Sequence, residues 1–220
     1  MEKRYSGKSA TLFLASSESP VLREGELTVP GKKYFIMEKG TESDIPLPAG
    51  MYFQAGKTPL ELKEGDRIQQ IDGDRICKTT CTVSLEQSSI DCSDDCNPAA
   101  TISSGIVGFS GSFSRLFTLD QETESLNDVT KEILSRFITI VEDDGQGAYT
   151  VSPINTESLH MMININSEAR GDKKYNIILC APIVLTSTGL NFENGAAIKN
   201  DIAFTCGQGN PQLLSVPVAE

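Results

Sequence analysis

The segment Leu159-His160-Met161-Met162-Ile163-Asn164-Ile165-Asn166 puts Leu159, Met161, Ile163 and Ile165 on one side of an extended chain. His160, Met162, Asn164 and Asn166 fall on the other side. A period of two is the mark of a half-buried strand and is incompatible with a helix. The same texture recurs along the chain. Tyr175 to Leu185 is apolar almost throughout and reads as a buried strand, with Pro182 marking an edge or a bulge. Ser187 to Phe192 and Asp201 to Cys206 follow as further strands. Upstream, Leu27–Val29, Tyr34–Met37, Met51–Phe53 and Arg67–Ile71 are short candidates. Thr79 to Glu86 alternates with Cys81, Val83 and Leu85 inward. Ile102 to Phe117 carries Gly105, Gly108 and Gly111, glycines that suggest bends or close backbone approach inside a long strand. Many short strands punctuated by turns predict a mainly β chain, an antiparallel β-sandwich or barrel.

One stretch departs from this period. Leu126, Val129, Ile133, Phe137 and Ile140 recur at helical spacing, widened by Leu134 and Val141. Ser125 and Asp128 resemble a capping box, and Glu142-Asp143-Asp144-Gly145 supplies a terminating turn. The spacing predicts one flanking helix over about 126–141, its stripe packed on the β body. Residues 39–66, with Gly40, Pro46, Pro48, Gly50, Gly56, Pro59 and Gly65, read as a long loop or hairpin. Residues 1–8 and 207–220 read as terminal arms on a single domain spanning 1–220, in keeping with about 100–200 residues per domain.

Charge narrows the function. The chain has 19 Lys and Arg against 30 Asp and Glu, a formal net charge of −11. An acidic surface repels phosphate, so a protein that grips nucleic acid is not expected. Between Thr79 and Ser114 there is no base, while Glu86, Asp91, Asp94 and Asp95 contribute four negative charges. The nine-residue apolar run Ile177 to Leu185 is far short of the roughly 20 residues that span a bilayer. The six apolar residues Ala10 to Ala15 are too few for a secretory leader.

Candidate chemistry is sparse. Gly7-Lys8-Ser9 lacks the earlier glycine of a phosphate-binding loop, because position 2 is Glu2. The one histidine, His160, lies opposite its strand's apolar stripe, and no motif ties a Ser or Cys to it; we read it as structural or exposed. Cys77, Cys81, Cys92 and Cys96 form two C-x3-C pairs ten residues apart, the weak candidates for a zinc site. Cys77 and Cys81 would share one face of a strand but lie ~13 Å apart along it, too far for one ion without a bulge. Cross-strand disulfides and free thiols are the other readings, free thiols fitting assembly in a reducing cytoplasm. Cys180 and Cys206 read as buried strand residues. No catalytic residue and no cofactor is assigned.

The string Gly108-Phe109-Ser110-Gly111-Ser112-Phe113-Ser114-Arg115-Leu116-Phe117, a surface helix from Ser125 to Phe137, the acidic glycine turn at Glu142 to Gly145, and the late strands through Asp201 to Gly209 follow one another in a telling order. Over roughly residues 67–210 this order and texture resemble the tail tube (major tail) proteins of long-tailed bacteriophages. The resemblance implies a non-enzymatic β-sandwich or barrel with a flanking helix. Subunits would form hexameric rings that stack through loops and terminal arms into a virion tail, assembled in the host cytoplasm. It implies a tape-measure protein, a tail terminator and baseplate or tail-tip proteins as partners. Double-stranded DNA would pass without specific binding, and no membrane is involved. Glu86, Asp91, Asp94 and Asp95 are then candidates for an acidic lumen wall. Competing readings are the inner tube of a contractile or secretion-type injection system, an extracellular disulfide-bonded β-sandwich binding module, and an enzyme or zinc β-domain.

Overall fold

The computed structural model describes residues 10–16, 19–91, 101–117, 128–143, 145–165, 175–192, 194 and 197–217, with the backbone alone for 87–91 and 101–107. In chain order the first strands are β1 (Thr11–Ala15), β2 (Val21–Leu22), β3 (Lys33–Glu38), β4 (Tyr52–Gln54), β5 (Arg67–Gln70), β6 (Asp74–Ile76) and β7 (Lys78–Asp91). Then come β8 (Thr101–Leu116), α1 (Asp128–Leu134), β9 (Ile140–Asp143), β10 (Tyr149–Ser152), β11 (Leu159–Asn164), β12 (Tyr175–Asn191), β13 (Lys199–Cys206) and β14 (Gln212–Pro217). The chain is mainly β, its strand pairs are all antiparallel, and its sheets are layered as a sandwich. No sheet closes into a barrel among the described residues.

The main sheet runs β6-β1-β11-β12-β13-β8-β7, with β14 also paired to β12. A small sheet runs β2-β5-β3-β4, and among the described residues β9 pairs only with β10. One face of the main sheet carries Leu12, Leu14, Phe109, Phe113, Met161, Ile183, Ile202 and Phe204, and α1 lays Ile133 on it. The opposite face, over β1, β11 and β12, meets the small sheet through Ala15, Met162, Ile178 and Cys180 against Tyr52, Ile71 and Phe35. Being covered on both sides, β11 is buried at five consecutive positions, Leu159 to Ile163. Its period of two therefore separates two interfaces, and does not separate core from solvent.

Several sequence expectations are corrected by this packing. The helix occupies Asp128–Leu134, not 126–141. Its last turn tightens, with Arg136 and Phe137 amides bonded to the Ile133 and Leu134 carbonyls three residues back. The β-branched run Ile138-Thr139-Ile140-Val141 then enters β9, where such residues fit a pleated surface better than a helix. Leu126, with the Ser125 of the capping box, lies outside the described residues.

Residues 39–66 contain β4, and Ile45, Phe53, Ala55 and Leu62 pack with Tyr34, Ile36 and Ile68 on the outer face of the small sheet. This segment is a covering layer. The 207–220 arm is likewise drawn into the sheet, as Gln212–Pro217 pair with β12. The 1–8 arm lies outside the described residues.

Tyr175–Leu185 and Ser187–Phe192 join into one strand, with a register irregularity between Leu185 and Ser187. Pro182 sits in the middle of β12, not at a sheet edge. Ladder pairing with β14 ends at Cys180 and pairing with β13 begins at Ile183, so no amide is needed on that side at Pro182. Its carbonyl accepts the Gly207 amide at 2.8 Å, as the chain steps from β13 to β14 along one line.

Candidate assembly surfaces

On the N-terminal side of Ser110, β8 has no neighbour but β7 among the described residues, because pairing with β13 stops there. The two strands continue as a ribbon past the body of the sheet. This exposes Leu85 to 61%, although its alternation points it the same way as Cys81 and Val83. The outer edge of β7 is unpaired along its length among the described residues.

Alternation places Thr80, Thr82, Ser84 and Glu86 of β7 on the face away from the core that Cys81 and Val83 join. Cross-strand pairing sets Ser114, Ser112 and Ser110 of β8 beside them, and Asp201, Ala203 and Thr205 of β13 beyond. The result is a solvent-facing surface of small hydroxyls. The hydroxyl of Ser114 donates to the Asp201 carboxylate. No Lys or Arg occurs in 79–86, 110–114 or 201–206.

Of the lumen-wall candidates, Glu86 is exposed on this surface. Asp91 ends β7 opposite Thr101, and nothing is described of its side chain. Asp94 and Asp95 lie outside the described residues, as do Cys92 and Cys96. Asp201, on the same surface, was not singled out by sequence. Its position depends on β13 pairing with β8, which joins residues some ninety positions apart.

Cys77 and Cys81 do not share a face. The ladder slips between Lys78 and Thr80, which inverts the alternation, so Cys77 is exposed while Cys81 packs against the main core. Cys77, Cys81, Cys180 and Cys206 are free thiols, and the described residues hold no cluster of three metal-ligating side chains. Burial pushes the Cys180 thiol up to about 12 and raises Cys81 and Cys206 as well. These thiols stay protonated and weakly nucleophilic near neutrality.

His160 is buried between the two sheets. The Gln69 amide nitrogen donates to the Ser16 carbonyl at 3.0 Å, which turns its oxygen toward His160 Nε2 at 3.1 Å. The network therefore assigns the ring proton to Nε2, and Nδ1 accepts from the Tyr52 hydroxyl at 2.9 Å. Burial holds the imidazole down at about 4, so the ring is neutral near pH 7. Every ring nitrogen is engaged, and the role is structural.

A groove of about 880 Å³ runs between α1 and residues 151–157, lined by Asp128, Lys131, Glu132, Ser135, Val151 and Glu157 among others. Its charges are largely committed to each other and to the fold. Lys131 pairs with Glu142 at 2.7 Å, and Arg136 pairs with Glu132 and donates to the Glu157 carbonyl.

No protein-family model and no curated protein matches the chain. Among solved structures, the chain is similar to one in the tail of an empty GTA particle, determined by helical refinement with C6 symmetry. Identity there is 11%, the match covers 65% of this chain and 87% of that one, and the TM-score is 0.40. It is also similar to a chain in the virion of a native gene transfer agent particle, at 11% identity, 67% and 89% coverage and a TM-score of 0.34. At TM-scores below 0.5 these likenesses carry no weight for fold or function.

Proposed function

We propose that this chain is a non-enzymatic structural subunit of a phage-type tail tube, polymerising as stacked rings of six subunits around a DNA conduit. The observation that carries the reading is the hydroxyl surface of β13, β8 and β7 beside the open β7 edge, on which the one base among the described residues, Lys199, stands at the start of β13. Each Lys or Arg that meets a phosphate adds a salt-dependent binding increment. A wall of Ser and Thr with Glu86 and Asp201 adds none, so a duplex can slide past it. An unpaired edge of this length invites strand addition, and pairing between subunits within a ring satisfies it. The same arrangement would serve the inner tube of a contractile or secretion-type system, whose sheath is a separate protein.

Negative-stain microscopy of the concentrated protein, with light scattering in parallel, tests the reading. Rings or hollow filaments are the expected result. A single small particle at every concentration, also in the presence of tail-assembly partners, overturns it.

A further inference from the structure

Among the described residues, the two-stranded sheet of β9 and β10 has an uncovered face. Val141 opposes Val151 and Asp143 opposes Tyr149, so these four side chains point the same way. Val141 and Val151 are each 58% exposed and Tyr149 is 67% exposed. A lone two-stranded sheet is marginal in water unless its apolar face is packed. Residues 138–157, which include this sheet, carry four carboxylates and no Lys or Arg.

A second apolar patch lies on the small sheet, which packs against the main-sheet face opposite the one that carries α1. Leu27 and Val29 are half exposed there, on a tip closed by the Gly31 amide donating to the Ala55 carbonyl. Residues 27–33 and 54–61, which build this tip, carry Lys32, Lys33 and Lys57 against one carboxylate, Glu61, which is bridged to Leu27. Lys33 is paired with Asp72, while Lys32 and Lys57 are exposed. The charge of the whole chain follows this division. Residues 1–78 hold 12 bases and 12 acids, whereas 79–220 hold 7 and 18, so the entire net charge of −11 sits in the second part.

We propose that the Lys32/Lys57 tip of one copy docks on the Val141–Tyr149–Val151 face of the next copy, head to tail. Glu142 points to the other face and is paired with Lys131, so Asp143 is the described carboxylate on the open face, and self-pairing would set Asp143 against Asp143, an unfavourable like-charge juxtaposition. Contact between unlike patches removes apolar surface on both sides and places ammonium groups against Asp143. Because the patches lie on opposite layers, repetition propagates from copy to copy, as unlike-patch contacts do. This deepens the tube reading and rests on it: the contact joins one ring to the next, while the β7 edge closes each ring.

The test uses two exposed-site variants of the full chain, K32E/K57E and Y149K/V151K, compared with the unaltered protein by sedimentation velocity and negative stain. Far-ultraviolet circular dichroism establishes that each is folded. The expected result is hollow filaments from the unaltered protein and unstacked rings from each variant alone. Mixing rings of the two variants, which restores an intact junction between unlike rings, is expected to give stacked rings. Filaments of either variant alone to the extent of the unaltered chain overturn the docking while leaving the tube reading standing. So does the absence of stacking in the mixture when neither variant stacks alone. Failure of the unaltered protein itself to assemble overturns the tube reading, and the docking with it.

Discussion

The hydroxyl of Tyr52 donates to Nδ1 of His160 across 2.9 Å, tying β4 of the small sheet to β11 of the main sheet. Phe35 stacks on the same imidazole, its centroid 4.7 Å away. A buried acceptor that loses its donor bears a desolvation cost of about 1–3 kcal/mol. Tyr52→Phe keeps the ring packing and removes only that donor. It is expected to lower stability by that amount in urea denaturation, with an unchanged m-value.

The same histidine makes stability depend on pH. Its folded value is about 4, against an ordinary value of 6.5. Between these values the unfolded chain binds more protons than the folded one, so stability falls as pH drops. The full effect is about 3 kcal/mol, at roughly 1.4 kcal/mol per unit of pKa difference. His160→Gln is neutral at all pH. The variant is expected to be less stable than the parent at pH 7, and the gap is expected to shrink by up to about 3 kcal/mol at pH 4. A gap that stays constant from pH 7 to pH 4 contradicts the assignment.

Gly111 lies between Phe109 and Phe113 on the core face of β8, under the ring of Phe204. A Cβ there would come within 2.7 Å of Phe204 Cζ and would also press on the Thr82 carbonyl. Phe204 is held by Phe109 and Phe113 at centroid distances of 5.8 and 6.3 Å, so it has little room to yield. Gly111→Ala is expected to cost about 1–3 kcal/mol, as overpacking does. Gly189→Ala, where nothing lies within 4 Å, is expected to be close to neutral. Thermal denaturation of the pair gives the comparison.

Asp66 gathers both ends of the covering segment. Its carboxylate accepts the Gly40 and Lys63 amides, each at 2.9 Å. Burial alone would raise its pKa, but these bonds and that from Ser43 outweigh it and hold the group below the ordinary carboxylate range. The contribution is therefore complete above the ordinary value and disappears as pH falls through the lowered folded value. Asp66→Ala is expected to cost about 1–3 kcal/mol at pH 7 and to expose the 39–66 segment to limited proteolysis.

How much of this was legible in the residues can be judged element by element. The alternation at 159–166 locates a strand in the right place, since period two is a property of the local backbone. It could not say that His160 faces a second sheet, because the small sheet that covers it comes from residues 21–70. The helical spacing at 126–141 found the turn that carries Ile133. It overran because Phe137 and Ile140 fit a 3.6 period by coincidence, while Ile140 is claimed by pairing with Ser152. The glycine-rich composition of 39–66 reads as a loop, and its scattered Ile45, Phe53 and Leu62 have no period to reveal the shared core.

Composition and local period by themselves determined that this chain is built of strands, that it is strongly acidic, and that the stretch from Thr79 to Ser114 lacks bases. Those properties belong to the residues and survive any arrangement of them. Tertiary pairing decided the rest. It brought Asp201 beside Ser114, buried His160 between two sheets, left the β9–β10 face open among the described residues, and put a lysine tip on the small sheet. Each of these depends on which distant segments meet, and pairing is selected by the burial of whole faces, a quantity no single segment encodes.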